Sequence, residues 1–269
     1  MLKVFWAEQT PVAASDRGLA YGDGLFETIR VHRGRPVLLG RHLRRMRDGA
    51  RRLGIPLSAV ELEHWLNRAL ARYDQDGDWV LKLILTRGSG GRGYVPPDPA
   101  TPHLIISRHG MPALPDPGGV VAHVARHTLE ANPALAGLKS LNRLDQVLAS
   151  RELPAGAYEV LMTDSAGNLL EGGRTNVLLH LRSGWFVPPA NSVAVWGVMQ
   201  EYVAERLDAQ GTPVRERRLP LSLLGQPDFQ GLFLLNSVVG VVPVRRIGCQ
   251  HLPIDNSLAT ICDPLTSLK

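Results

Sequence analysis

The chain has 269 residues, 44% apolar and 20% charged, with a formal net charge of +5; this is the composition of an ordinary globular protein with room for one large domain or two modest ones. No run of eighteen apolar residues occurs, and the N-terminal MLKVFWAEQTP has neither the basic region, the apolar stretch nor the small-residue cleavage site of a secretion signal. A membrane span is therefore excluded, and a soluble, cytoplasmic protein is expected.

Along the first hundred residues the pattern predicts a small α+β body. LFETIRVHRGRPVLL alternates apolar and polar residues around an RGRP turn, a hairpin signal. Helices fit residues 40–53 and 58–72, and WVLKLILTR returns to a strand in which Lys82 faces away from Leu81, Leu83 and Leu85. The first helix carries the densest basic run, RHLRRMRDGARRLG, with apolar residues on one face and arginines on most of the rest. A solvated surface helix, a nucleic-acid patch, or one arginine turned inward toward a phosphate would each fit that pattern. RGSGGRGYVPPDPATP is too rich in glycine and proline for regular structure and reads as a flexible functional loop, with Arg87, Arg92 and Tyr94 as hydrogen-bonding tools.

A strand over 103–108 precedes a proline-rich stretch that suggests an interdomain linker at 111–119, dividing a domain of residues 1–110 from one of 120–269. Beyond it, a strand at 119–126 leads to GLKSLNRLDQVLAS, where Leu138, Leu141, Leu144 and Leu148 recur at helical spacing. YEVLMTDSAGNLLEGGRTNVLLHL reads as three strands joined by a DSAGN turn and a tight glycine turn. A helix at 197–210, short strands at 213–219, 231–237 and 241–247, and a terminal helix near 256–268 complete the pattern. Cys249 and Cys262 match no metal-ligand spacing and are expected as reduced structural thiols, and the scattered histidines suggest no bound metal.

Lys139 stands out because the chain carries 30 basic side chains but only four lysines. An amine can trap a carbonyl when deprotonated, whereas arginine effectively never loses its proton; a snorkelling surface lysine is the plainer alternative. The blocks YGDGLFETIRV, HLRRM, LKSLNRLDQVL, LLEGGRTNVLL, WGVM and LNSVVGVVPV occur in an order and spacing that resembles the fold-type IV pyridoxal-phosphate enzymes, over nearly the whole chain. The family includes branched-chain and D-amino acid aminotransferases and aminodeoxychorismate lyases.

The resemblance implies an α+β fold with a small N-terminal domain and a larger, barrel-like mixed-sheet domain, a homodimer, and an active site between the domains. It implies pyridoxal 5'-phosphate as cofactor, attached covalently through Lys139, with Glu171 at the pyridine nitrogen. Arg45 is implied at the phosphate, with the amides of Val198 and Met199, the Ser237 hydroxyl and Asn236 beside it, which would make Arg45 the inward arginine of the basic helix. Thr28, RGSGGRGY and KSLNRLDQVL resemble the lyases rather than the transaminases, implying conversion of 4-amino-4-deoxychorismate to 4-aminobenzoate and pyruvate, a step toward folate. Thr28 would hydrogen-bond the lysine or assist the departing enolpyruvyl oxygen, and Arg92, Arg30, Tyr21 and Tyr94 would meet the substrate. A D-amino acid or branched-chain aminotransferase is the alternative on the same scaffold, and a nucleic-acid-binding protein without catalysis has only the basic helix to support it.

Overall fold

The structure is a computed structural model that describes residues 1–73, 77–130, 132–258, 263, 265 and 268. They divide into two compact units, the first comprising Met1–Met111 with Leu138–Asn142 and the second Pro112–Gly137 with Arg143–Ser267. Among the described residues no helix is long and apolar enough to cross a membrane.

The first unit contains β1 (Lys3–Trp6), α1 (Arg17–Tyr21), β2 (Gly24–His32), β3 (Arg35–Pro36), α2 (Leu39–Leu53), α3 (Ala59–Arg72), β4 (Asp78–Thr86) and β5 (His103–Gly110). Its five-stranded sheet runs β1-β5-β4-β2-β3, antiparallel except for the parallel β1–β5 pair. Strand alternation divides β2 cleanly: Leu25, Glu27, Ile29 and Val31 are buried on one face, while Phe26, Thr28, Arg30 and His32 are half-buried on the other. Ile29, Val31, Leu81, Leu83, Leu104 and Ile106 meet Leu43, Met46 and Ala50 of α2 and Leu62 and Leu66 of α3 in one core. Each such fully buried side chain contributes about 1.5–3 kcal/mol. Ser58 caps α3 by accepting from the Glu61 amide, while Glu61 is used by the Leu2 amide instead of completing a capping box.

The Lys139 segment is not helical, contrary to the spacing of its leucines. Residues 138–141 run extended beside β2: Phe26 N–H donates to Lys139 O at 2.9 Å and Leu141 N–H to Gly24 O at 3.0 Å. Leu138 is buried in the first unit's core, which is why this stretch belongs there and not with the residues after 119. The helix that follows, α4 (Leu144–Ser150), begins six residues later and turns Gln146 and Ala149 inward, leaving Leu144 76% and Leu148 42% exposed.

The second unit holds β6 (Val120–Val124), α4, β7 (Glu159–Thr163), β8 (Leu169–Gly172), β9 (Asn176–Leu181), β10 (Gly184–Val187), α5 (Val198–Asp208), β11 (Val214–Glu216), β12 (Phe229–Asn236), β13 (Gly240–Ile247) and β14 (Gln250–His251). The sheet order is β11-β10-β9-β12-β13-β6-β7-β8, and β8 pairs again with β9, so β9, β12, β13, β6, β7 and β8 close on themselves as a barrel. The seam is the single pair Glu171↔Asn176. Leu161, Leu169, Val177, Leu179, Leu232, Leu234, Val242 and Val244 build this unit's core. The terminal helix expected near 256–268, with Cys262, falls largely on residues outside those described. Cys249 is exposed.

Candidate active site

In the first unit, β2 brings three candidate groups together through the alternation of its side chains. Glu27, 1% exposed, points toward α2, where His42 and Arg45 lie one turn apart. Arg45 donates from Nε to Glu27 Oε1 at 2.7 Å and from Nη2 to Oε2 at 2.6 Å, a two-pronged pair, and His42 Nδ1 lies 2.6 Å from Oε2. Burial alone would raise the Glu27 carboxyl, but Arg45 and His42 beside it pull it down to about 2. Burial likewise holds His42 below its ordinary value, so the ring is neutral at pH 7 and its Nδ1–H donates to the carboxylate. Its buried Nε2 has no hydrogen-bond partner among the described residues.

The half-buried face of β2 carries Phe26 and Thr28. Lys139 Nζ sits 4.2 Å from the centre of the Phe26 ring, and Thr28 pairs across the sheet with Lys82. Lys139 is therefore held beside the strand whose neighbouring residues are Glu27 and Thr28, positioned by its own carbonyl's bond to Phe26. The expected substrate residues behave differently from one another. Arg30 pairs across the sheet: Nε and Nη2 donate to Asp78 Oδ2 at 2.9 and 2.5 Å, and His32 shares that carboxylate. The Tyr21 and Tyr94 rings lie 5.5 Å apart, and Tyr94 and Arg92 are exposed. Their loop is anchored at many points instead of hanging free.

In the second unit, Glu171 is 3% exposed at the barrel seam. Gln146 Nε2 donates to its Oε1 at 3.0 Å, and the Ala194 and Val195 amides donate to Oε2 at 3.0 and 3.2 Å. Burial still pushes this carboxyl above its ordinary value, against those three donors and nearby Arg143. The same 194–197 turn leads into α5. Asn176 donates to Val195 O at 2.8 Å, and a Cβ placed on Gly197 would lie 1.8 Å from Asn176 Oδ1, so only glycine fits there. Gly197 caps α5 without a side-chain hydrogen bond, and the first helical residues are Val198 and Met199. Their amides belong to the helix end that favours anions. Asn236, at the end of β12, uses its side chain as a brace, donating to Arg174 O and accepting from the Val238 amide, both at 2.8 Å. Ser237 follows it.

Two functional candidates escaped the sequence reading. Glu27 lies inside LFETIR and Gln146 inside RLDQVL, where no composition or spacing marks them; only the alternation of β2 and the inward face of α4 bring them to Arg45 and Glu171.

The first unit thus holds a lysine by its backbone and an arginine by a buried acid, and the second a buried carboxylate gripped by amide donors beside a glycine-led helix end. The chain belongs to the class IV amino-transferase family, whose profile matches residues 24–247. Among its relatives, a Vibrio harveyi protein named aminodeoxychorismate lyase is 31% identical over 94% of both chains. A putative branched-chain-amino-acid aminotransferase of Methanocaldococcus jannaschii is also 31% identical, over 88% of this chain and 82% of its own. The crystal structure of 4-amino-4-deoxychorismate lyase from Pseudomonas aeruginosa superposes with a TM-score of 0.88 at 41% identity, covering 95% of this chain and 94% of that one. The fold expected from the sequence, a small N-terminal unit followed by a barrel-forming mixed sheet, is the one found.

Proposed function

We propose that this chain is a pyridoxal-phosphate-dependent aminodeoxychorismate lyase, converting 4-amino-4-deoxychorismate to 4-aminobenzoate and pyruvate in the cytoplasmic synthesis of folate. The observation that carries the cofactor reading is Glu171: a buried carboxyl raised by burial and already gripped by three N–H groups is suited to a cationic ring nitrogen, which would restore its charge. The Gly197 approach to Asn176, which leaves no room for a Cβ, and the arginine held by Glu27 fit a phosphate in the same sense.

Pyridoxal phosphate, when bound, supplies an aldehyde that takes up amines and a ring that accepts the electron pair left by a departing proton. Lys139 would hold the aldehyde, and its ε-amine, when free, would take the proton from the amine-bearing ring carbon of the substrate. Glu171 would keep a proton on the pyridine nitrogen. Arg45, the Val198 and Met199 amides and Ser237 would hold the phosphate, with Asn236 bracing that corner. Thr28 would donate to the enolpyruvyl oxygen as its bond to the neighbouring carbon breaks, and aromatisation of the substrate ring makes that loss strongly downhill. Arg92, Tyr21 and Tyr94 would meet the substrate carboxylates. The exposed stripe of Leu144, Val147 and Leu148 on α4 supports a homodimer, because an apolar strip of this kind is commonly covered by a partner; sedimentation as a monomer at micromolar concentration would refute that part.

Incubating the purified protein with 4-amino-4-deoxychorismate should release pyruvate and 4-aminobenzoate in equal amounts, and Lys139→Ala should release neither. Amino transfer to 2-oxoglutarate without pyruvate release would replace the lyase with the transaminase reading favoured by the archaeal relative.

A further inference from the structure

We infer that Arg17 is a positioning residue, the cation around which the 90–95 loop is wrapped, so that Arg92 and Tyr94 are presented to a ligand in a preformed shape. The ligand's identity as a substrate carboxylate rests on the proposed lyase reaction; the clamp itself does not.

Arg17 opens α1 and is 4% exposed. A buried arginine ordinarily faces carboxylates. This one gives only Nε to a carboxylate, Asp23 Oδ2 at 2.9 Å, and turns the rest of its guanidinium to backbone carbonyls. Nη2 donates to Tyr94 O at 2.9 Å, and Nη1 to Gly93 O at 3.1 Å with Gly90 O and Val95 O at 3.4 Å. Four carbonyls of one short loop thus converge on one planar cation.

That convergence accounts for the glycines of RGSGGRG. Gly90, Gly91 and Gly93 have φ of 111°, 83° and 60°, the region that side chains avoid. A Cβ on Gly91 would lie 2.3 Å from Val95 O and 3.2 Å from Arg17 Nη1. The loop's entry is fixed as well. Arg87 pairs with both oxygens of Asp23 and donates to the Leu53 and Gly54 carbonyls at the end of α2. The Arg17 amide donates to Gly88 O at 2.9 Å, and buried Asp16 accepts from Thr86 and lies 2.6 Å from His103 Nδ1.

The outer side of this cage is where the ligand-facing groups lie. Arg92 is exposed, Tyr94 is 86% exposed, and the Tyr21 ring packs at a tilt against Tyr94 and lies against Arg17, the guanidinium carbon 4.9 Å from the Tyr21 centroid. A loop already ordered loses little further conformational freedom when it binds. Loosening it should therefore weaken substrate binding while leaving the chemistry at Lys139 alone.

The test uses Arg17→Lys, whose single ammonium cannot span four carbonyls, and Gly91→Ala, which breaks the cage from the loop side with Arg17 intact. In both variants the 90–95 amides should exchange hydrogen at least tenfold faster than in the wild type, and trypsin should cut after Arg92 at least tenfold faster. KM for 4-amino-4-deoxychorismate should rise at least fivefold with kcat within twofold and bound cofactor unchanged. Wild-type protection of the loop in both variants overturns the clamp, and a freed loop with unchanged KM overturns its role in recognition. A wild-type protein that releases no pyruvate refutes the proposed reaction instead, and the exchange and trypsin rates then decide the clamp by themselves.

Discussion

Replacing Glu27 by glutamine removes one charge from a carboxyl that is 1% exposed and faces Arg45 and His42, with Lys139 also acting on His42. The drop of that carboxyl from its ordinary 4.5 to about 2 corresponds to about 3 kcal/mol, at roughly 1.4 kcal/mol per pKa unit. The independent expectation for breaking a buried ion pair, about 3–5 kcal/mol, agrees. Because the folded value lies below the unfolded one, the contribution is complete above about pH 4.5 and fades as the pH falls toward 2. Urea unfolding of the wild type and Glu27→Gln should therefore differ by about 3 kcal/mol at pH 7, and the gap should narrow at pH 3.5. A difference under about 1 kcal/mol at pH 7, or one that does not change with pH, would refute the ion-pair account of this corner.

Three further outcomes follow from the geometry. Glu171→Gln keeps the length of the side chain but removes its charge and turns one acceptor oxygen into a donor facing N–H groups, so turnover should fall about a hundredfold, the usual cost of one preorganised charge, and by more than cofactor affinity in a fluorescence titration; equal losses in both would contradict the assigned role. Gly197→Ala puts a Cβ 1.8 Å from Asn176 Oδ1 and should lower stability by about 1–3 kcal/mol and weaken pyridoxal phosphate more than pyridoxal, which an unchanged melting temperature would disprove. Arg30→Ala removes a partner of Asp78 and should leave KM within twofold, so a large rise in KM would return Arg30 to the substrate site.

Much of the architecture could be read from hydrophobic spacing, because β2, β4, α2 and α3 each bury one regular face. The same logic misled at residues 138–143. Leu138 and Leu141 fit a helix extended backward from Leu144 and Leu148, yet the first two belong to a strand-like segment held by β2 and the last two face outward. Spacing records where leucines fall, not which surface claims them. The ion pair of Arg30 was not legible because its partner, Asp78, is 48 residues away and reaches it only through the β2–β4 register. The glycine loop looked mobile for a similar reason: glycine allows both a floppy chain and a tightly wound one, and the difference lies in Arg17, more than seventy residues earlier.

The barrel's closure through one residue pair, Glu171 with Asn176, ties a buried carboxyl to the architecture at a single point. Any residue chosen to retune the acid also becomes part of the hoop that keeps six strands in a ring, and its neighbour Asn176 simultaneously sets the entrance to α5. Exchanging that carboxyl is thus inseparable from keeping the container shut, so substitution has little room at the seam.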